Sequence, residues 1–304
     1  MQRRAFIKSG TLGAVGLSTA GFLSAQIQPT KSPLKISLTP WSLIRASYGD
    51  LDPEGMDVFD FPVAAKSLGF DYIDHEMFHL PRPLTTEHLE KMRARCEAAG
   101  VGSAVLLTGG IGDLGDPHAT KRMKAITNYQ YWVDVAAALD CRAMRNVCAD
   151  FITIDYKEKL KYTTEGVHQL AIYAQEKGID LLIENHNGYT SDPEWLAQLM
   201  EDVNEPNVGV LGDFSNWRIQ QNPDRFYPDP YKGIEILAPY IRAVSAKSED
   251  FTFEGEESRI DYQKMLQTLH NAPHLMFAGV EFFGTEITRN EGALKTKALL
   301  EKYW

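Results

Sequence analysis

Cysteine is scarce: Cys96, Cys141 and Cys148 are the three in a chain of 304 residues. None has the close spacing of a thiolate metal site. Cys141 and Cys148 fall on one predicted strand, about 23 Å apart at roughly 3.3 Å per residue, too far to pair. So few thiols, odd in number, point to a fold that does not lean on disulfides. Basic tracts are missing as well. The formal charge is −10, from 31 Lys and Arg against 41 Asp and Glu. That field repels a nucleic-acid backbone, and no local cluster of Lys or Arg overcomes it. No apolar run makes a convincing membrane span. No glycine-rich phosphate fingerprint follows the first predicted strand, which weighs against a dinucleotide-binding fold. Small neutral or cationic ligands remain.

The first 25 residues stand apart from the rest. Arg3-Arg4-Ala5-Phe6-Ile7-Lys8 is a twin-arginine motif, and a weakly apolar, uncharged stretch follows it to Ala25. A basic start, a short apolar region and small residues near its end read as a Tat-type signal peptide over 1–25. The alternative is an ordinary amphipathic first helix. On the signal reading, 26–34 is a linker and the mature protein is periplasmic. Removing the segment takes away Arg3, Arg4 and Lys8 and no acid, so the formal charge moves from −10 to −13. The Tat route carries folded proteins, which suits a fold without disulfides.

From Lys35 onward strand-like and helix-like segments alternate. Strands are predicted at 35–42, 71–77, 101–108, 141–148, 179–186, 207–214, 241–248 and 275–283. Helices are predicted at about 59–68, 86–99, 117–139, 156–177, 192–202, 230–238, 261–271 and 286–302. Asp116-Pro117, Asp192-Pro193 and Asp229-Pro230 each place an N-cap carboxylate before a proline at the first helical position. Gly69, Gly100 and Gly178 sit where helices should end. Eight unbroken alternations predict one α/β domain over 35–304, a closed (β/α)8 TIM barrel. Long loops at Thr39–Asp60 and Ser248–Arg259 would overhang its catalytic face, as lids or as plain solvated loops.

The strand ends carry the chemistry. Ile179-Asp180-Leu181-Leu182-Ile183 runs into Glu184, Val208-Gly209-Val210-Leu211-Gly212 into Asp213, and Phe277-Ala278-Gly279-Val280 into Glu281. A carboxylate that terminates an apolar strand is costly to bury unless it is paired or bound to a cation. One such acid often only caps a neighbouring helix. Three, on the fifth, sixth and eighth strands, favour a shared site at the C-terminal face of the barrel. Side chains alternate along a strand, so Glu184 and His186 face one side, as do Ser245 and Lys247.

The run Glu184-Asn185-His186, then Gly212-Asp213-Phe214-Ser215-Asn216, Ser245-Ala246-Lys247 and Gly279-Val280-Glu281 resembles the xylose isomerase-like TIM barrels. This is the sugar phosphate isomerase/epimerase superfamily, which includes the ketose 3-epimerases. In that family a Glu, an Asp, a His and a Glu on strands five to eight hold a metal. The resemblance thus implies Glu184, Asp213 and Glu281 as metal ligands, with Ser245 at the histidine position. A hydroxyl is a much poorer ligand than imidazole, so the metal is weakened, lost, or helped by His186. An oxygen-dominated set favours Mn²⁺ or Mg²⁺ over Zn²⁺.

The implied chemistry is isomerisation or epimerisation of a sugar by proton transfer next to a carbonyl. Glu184 and Glu281 are the expected catalytic bases, one on each side, and a divalent metal cation polarises the carbonyl. His186, Asn216, Lys247, Arg145 and Trp41 are the expected substrate contacts, with ion pairs to carboxylates as the alternative for Lys247 and Arg145. Glu76, His75 and Trp217 are weaker candidates, and His118, His168 and His270 are expected on helix surfaces. Outside the cytoplasm a free sugar or keto-sugar is a better substrate than a sugar phosphate. The same base chemistry would serve a lyase that cleaves a keto-glycoside, and the missing histidine would suit a non-catalytic sugar-binding barrel. The expected partner is a small carbohydrate, with neither nucleic acid nor a stable membrane span, and a homo-oligomer is left open.

Overall fold

Eight short strands, most of them apolar along their buried positions, run parallel in a closed barrel. The computed structural model describes residues 33–50, 55–148, 154–220 and 224–304, so the twin-arginine segment lies outside the described residues. The barrel strands are β1 (Lys35–Leu38), β2 (Tyr72–Glu76), β3 (Gly102–Leu107), β4 (Ala143–Asn146), β5 (Asp180–Glu184), β6 (Val208–Asp213), β9 (Ile241–Ser248) and β10 (Phe277–Phe282). They close in the order β1-β10-β9-β6-β5-β4-β3-β2. After β6 comes a small antiparallel hairpin of its own, β7 (Arg218–Gln220) with β8 (Arg225–Phe226).

A helix follows each barrel strand: α1 (Phe61–Ser67), α2 (Thr86–Ala99), α3 (Ala119–Ala138), α4 (Tyr156–Glu176), α5 (Pro193–Val203), α6 (Pro230–Leu237), α7 (Tyr262–Leu269) and α8 (Arg289–Tyr303). Asp192 accepts the Trp195 N–H, and Asp229 accepts those of Tyr231 and Lys232, so two aspartate–proline starts cap as expected. The third does not. Helix α3 begins at Ala119 after His118, and Asp116 instead accepts the His118 N–H, closing the turn before the helix. Cys141 and Cys148 flank a strand shorter than expected, and all three cysteines are buried outside any disulfide. No described helix is long and apolar enough to cross a membrane.

The barrel interior is built by alternation. Leu107, Leu182, Leu211, Ala243 and Phe277 form a buried apolar cluster separate from the larger core between strands and helices. Two residues further along their strands, on the same inward side, stand Glu184, Asp213, Ser245 and Gly279. The barrel is therefore plugged with hydrocarbon at one end and polar at the other. Side chains at the polar end stand on this packed apolar layer, which keeps their geometry fixed.

Candidate active site

Six strands deliver polar groups to the C-terminal end: Glu76 from β2, Arg145 from β4, Glu184 from β5, Asp213 from β6, Ser245 and Lys247 from β9, and Glu281 from β10. Above them opens a cleft of about 420 Å³ whose lining includes Glu76, Arg145, Glu184, His186, Lys247 and Glu281. Trp41, Phe78 and Phe283 supply its aromatic walls. Trp41 is carried by a short 3-10 turn, Pro40–Ser42, right after β1. Its indole N–H donates to Glu76 Oε2 at 3.0 Å, and its ring lies 4.4 Å from that of His79.

The acids and bases interlock. Lys247 Nζ lies 2.9 Å from Asp213 Oδ2 and 3.6 Å from Glu281 Oε2. It also donates to Asn216 Oδ1 at 3.5 Å, and the Asn216 amide donates to Glu184 Oε1 at 3.1 Å. The other oxygen of Glu184 sits 3.0 Å from Arg145 Nε, an ion pair without hydrogen-bond alignment. Arg145 also approaches Glu76 Oε2 at 3.7 Å. Ser245 donates its hydroxyl to Glu281 Oε2. Asp213 Oδ1 accepts the backbone N–H groups of Ser215 and Asn216 at 2.7 and 2.9 Å. Beneath this layer Asp74 accepts from Ser37, Thr39 and the Val105 N–H, closing the floor.

Burial and charge set the protonation states. Burial pushes Glu184 up to about 7, against the pull of Arg145. Glu281 also rises, through burial first and then through Asp213 and Glu184, while Lys247 and Ser245 oppose the rise. Asp74 and Glu76 are each raised to about 7, again mainly by burial. For Asp213 burial works upward, but Lys247 and the surrounding donors outweigh it and hold the group below the usual carboxylate range. Burial would discharge Lys247, yet Asp213, Glu281 and Glu184 outweigh that and keep the ammonium charged. Burial lowers His186 to about 4, so its ring is neutral at neutral pH. Its Nδ1 faces the Asn187 amide at 3.1 Å, which leaves Nε2 as the N–H donor.

The expected residues thus meet at one place, with three refinements. Asn216 does not line the cleft; its amide links Glu184 to Lys247 from behind. Trp217 is buried and donates to the Phe214 carbonyl, and it packs against Gly233, so it has no face to offer a ligand. His75 turns outward from the barrel to Ser103, as strand alternation from Asp74 and Glu76 requires. His118 and His168 pair with Asp116 and Glu205, and His270 packs on Trp304. Asp74 and Phe283 were missed. Asp74 lies mid-strand rather than at a strand end, and Phe283 reads as a simple core residue.

A divalent metal was expected between Glu184, Asp213 and Glu281, and the arrangement does not fit one. Among the described residues no three His, Cys, Asp or Glu side chains gather around a point suited to a metal ion. Lys247 stands between Asp213 and Glu281, and Ser245 puts a hydroxyl that donates to Glu281 where an imidazole nitrogen would be the better ligand. His186 remains on the cleft wall with its ring toward Asn187.

A family model described as xylose isomerase-like TIM barrel matches residues 62–303. No curated protein matches the chain. Solved structures similar to it include a D-psicose 3-epimerase with D-tagatose from Clostridium cellulolyticum H10, at 15% identity and a TM-score of 0.70, covering 89% of this chain and 99% of that one. A 3-keto-D-glucoside 4-epimerase from E. coli is 12% identical with a TM-score of 0.66, covering 88% and 100%. The IOLI protein, described with a binding zinc atom, is 16% identical with a TM-score of 0.67, covering 89% and 99%. At such identities the likeness is one of fold.

Proposed function

The chain belongs to the xylose isomerase-like TIM barrel family, and from that membership and its site we propose that it isomerises or epimerises a sugar by moving a proton next to a carbonyl. The observation that carries the reading is the pair Glu184 and Glu281, both buried, both raised, and both at the cleft. Their strands flank β6 and β9 in the barrel order, so the two acids stand on either side of the Asp213–Lys247 pair. Two carboxyl groups sharing a buried site ionise less readily together, which suits one to act as base and the other as acid.

In this reading one carboxylate removes the proton on the carbon beside the carbonyl, and the electron pair moves onto the carbonyl oxygen. The other carboxyl group returns a proton to the opposite face. The enediolate formed between the two steps needs positive charge nearby, and the largely buried Lys247 and Arg145 can give it more than exposed cations would. Nε2 of His186 offers a neutral donor for a hydroxyl, and Trp41 and Phe283 offer flat apolar faces for the C–H side of a sugar ring.

Charge favours an unphosphorylated substrate. Glu76, Glu184 and Glu281 line the cleft with Asp213 beneath, against the two cations Arg145 and Lys247, both already paired with acids. A phosphate dianion would meet these acids and no cation that is not already paired with one. The related structures whose descriptions name an epimerase support a keto-sugar or keto-glycoside. The test is a panel of free keto-sugars, keto-glycosides and their phosphates, incubated with the protein in D2O and followed by NMR. An unphosphorylated epimer or isomer is expected. Release of a free leaving group would point to a lyase instead, and turnover of phosphates alone would remove the substrate assignment.

A further inference from the structure

We infer that the cation at the reaction centre is the ammonium group of Lys247, built into the chain, and that the site takes no divalent metal. The inference rests on the proton-transfer reading above for its chemistry, but on geometry for its substance.

Each acid of the expected metal cage already has a protein partner, Glu184 Oε2 and Asp213 Oδ2 by ion pairs without hydrogen-bond alignment. Asp213 has two backbone N–H donors on one oxygen and the Lys247 ammonium 2.9 Å from the other. Glu184 has the Asn216 amide on one oxygen and Arg145 beside the other. Glu281 has the Ser245 hydroxyl and faces Lys247 at 3.6 Å. A divalent ion would have to displace the ammonium from Asp213 and Glu281 and then find only a hydroxyl at the fourth corner. Serine and lysine at these two neighbouring inward positions of β9 therefore act together: one removes the imidazole, the other supplies the charge.

The ammonium is placed to work as well as to balance. Lys247 is anchored by its backbone carbonyl, which accepts the Tyr262 hydroxyl at 2.9 Å, and its charged end lies 5.4 Å from the Phe283 ring centre. An ammonium has three donor hydrogens. Asn216 takes one, Asp213 is met as an ion pair without hydrogen-bond alignment, and the cleft that Lys247 lines gives the ammonium access to a substrate oxygen. That oxygen is the one that gains charge when a neighbouring carbon loses its proton. No electrons enter or leave the protein in this step, and the proton taken by one carboxylate is matched by the one returned.

The test uses the full wild-type protein, purified without chelators. Elemental analysis should find far less than one equivalent of Mn, Zn or Mg per chain. Calorimetric titration with Mn²⁺ and with Zn²⁺ should show no saturable site, and neither ion should move Tm. Ser245→His combined with Lys247→Ala rebuilds the four-ligand set and should gain one Mn²⁺ per chain. Lys247→Met, with the fold checked by circular dichroism, should lower kcat about 100- to 1,000-fold with little change in KM, the loss typical of one donor to an oxyanion. One tightly held equivalent of metal in the wild type, or exchange activity that EDTA abolishes, overturns the inference. If the double variant does not fold, the wild-type titration alone decides. Absence of proton exchange with every sugar would instead sink the isomerase reading, while the binding data would still judge the cation.

Discussion

Glu184 shows how one side chain can be both buried and useful. Burial raises it to about 7, and Arg145 and Asn216 hold the ionised form in reach of neutral pH. Only the ionised carboxylate can take a proton from carbon. As pH falls below about 7 the group binds a proton and the base is lost, so kcat/KM should fall about tenfold per unit on the acid side. A pH–rate profile that stays level through that limb contradicts the role. The same ionisation bears on stability with the opposite sense. Asp74 and Glu76, also raised to about 7, are more comfortable protonated, so their contribution is present at low pH and declines as pH rises through 7. Activity and stability therefore pull in different directions around neutrality.

Among the elements, the strand–helix order was readable from the chain because it rests on period alone. Every predicted barrel strand contains the observed one, and Glu184, Asp213 and Glu281 fall at strand ends as their apolar runs foretold. Side-chain direction was readable for the same reason, since Ser245 and Lys247 share a face with two-residue spacing. An ion pair between Lys247 and a carboxylate was readable as an alternative; which acids it joins was not. Nothing in Ser-Ala-Lys says that the lysine bends between Asp213 and Glu281, because that depends on which strands neighbour β9. Gly166 makes a similar point. Helix propensity favours alanine there by about 1 kcal/mol. Yet α4 runs so close to the loop after β3 that a Cβ would meet the Leu114 carbonyl oxygen at 2.0 Å. Overpacking costs about 1–3 kcal/mol, and a backbone carbonyl yields less than a side chain, so sterics outweigh propensity. Gly166→Ala should lower Tm by several degrees in a thermal melt; an unchanged or higher Tm would show that the helix can move away.

The molecule as a whole combines an acidic surface, no disulfides and a plugged barrel that is polar at one end. We propose that it is exported through the Tat route, on the strength of Arg3-Arg4-Ala5-Phe6-Ile7-Lys8. Replacing both arginines by lysine should leave the protein in the cytoplasm by cell fractionation, and undiminished export would refute the address. All three cysteines are buried and outside any disulfide, as suits a chain that completes its fold in a reducing compartment before export. The central claim is proton transfer between Glu184 and Glu281 beside a sugar carbonyl. Its most direct measurement is the position of deuterium in sugars recovered from the D2O incubation, with wild type and Glu281→Gln side by side. The wild type should place one deuterium on the carbon next to the carbonyl of the epimer or isomer formed, and Glu281→Gln should form no such labelled product while keeping its circular dichroism spectrum. Sugars recovered from the wild type without deuterium, or equal labelling by the variant, would contradict it.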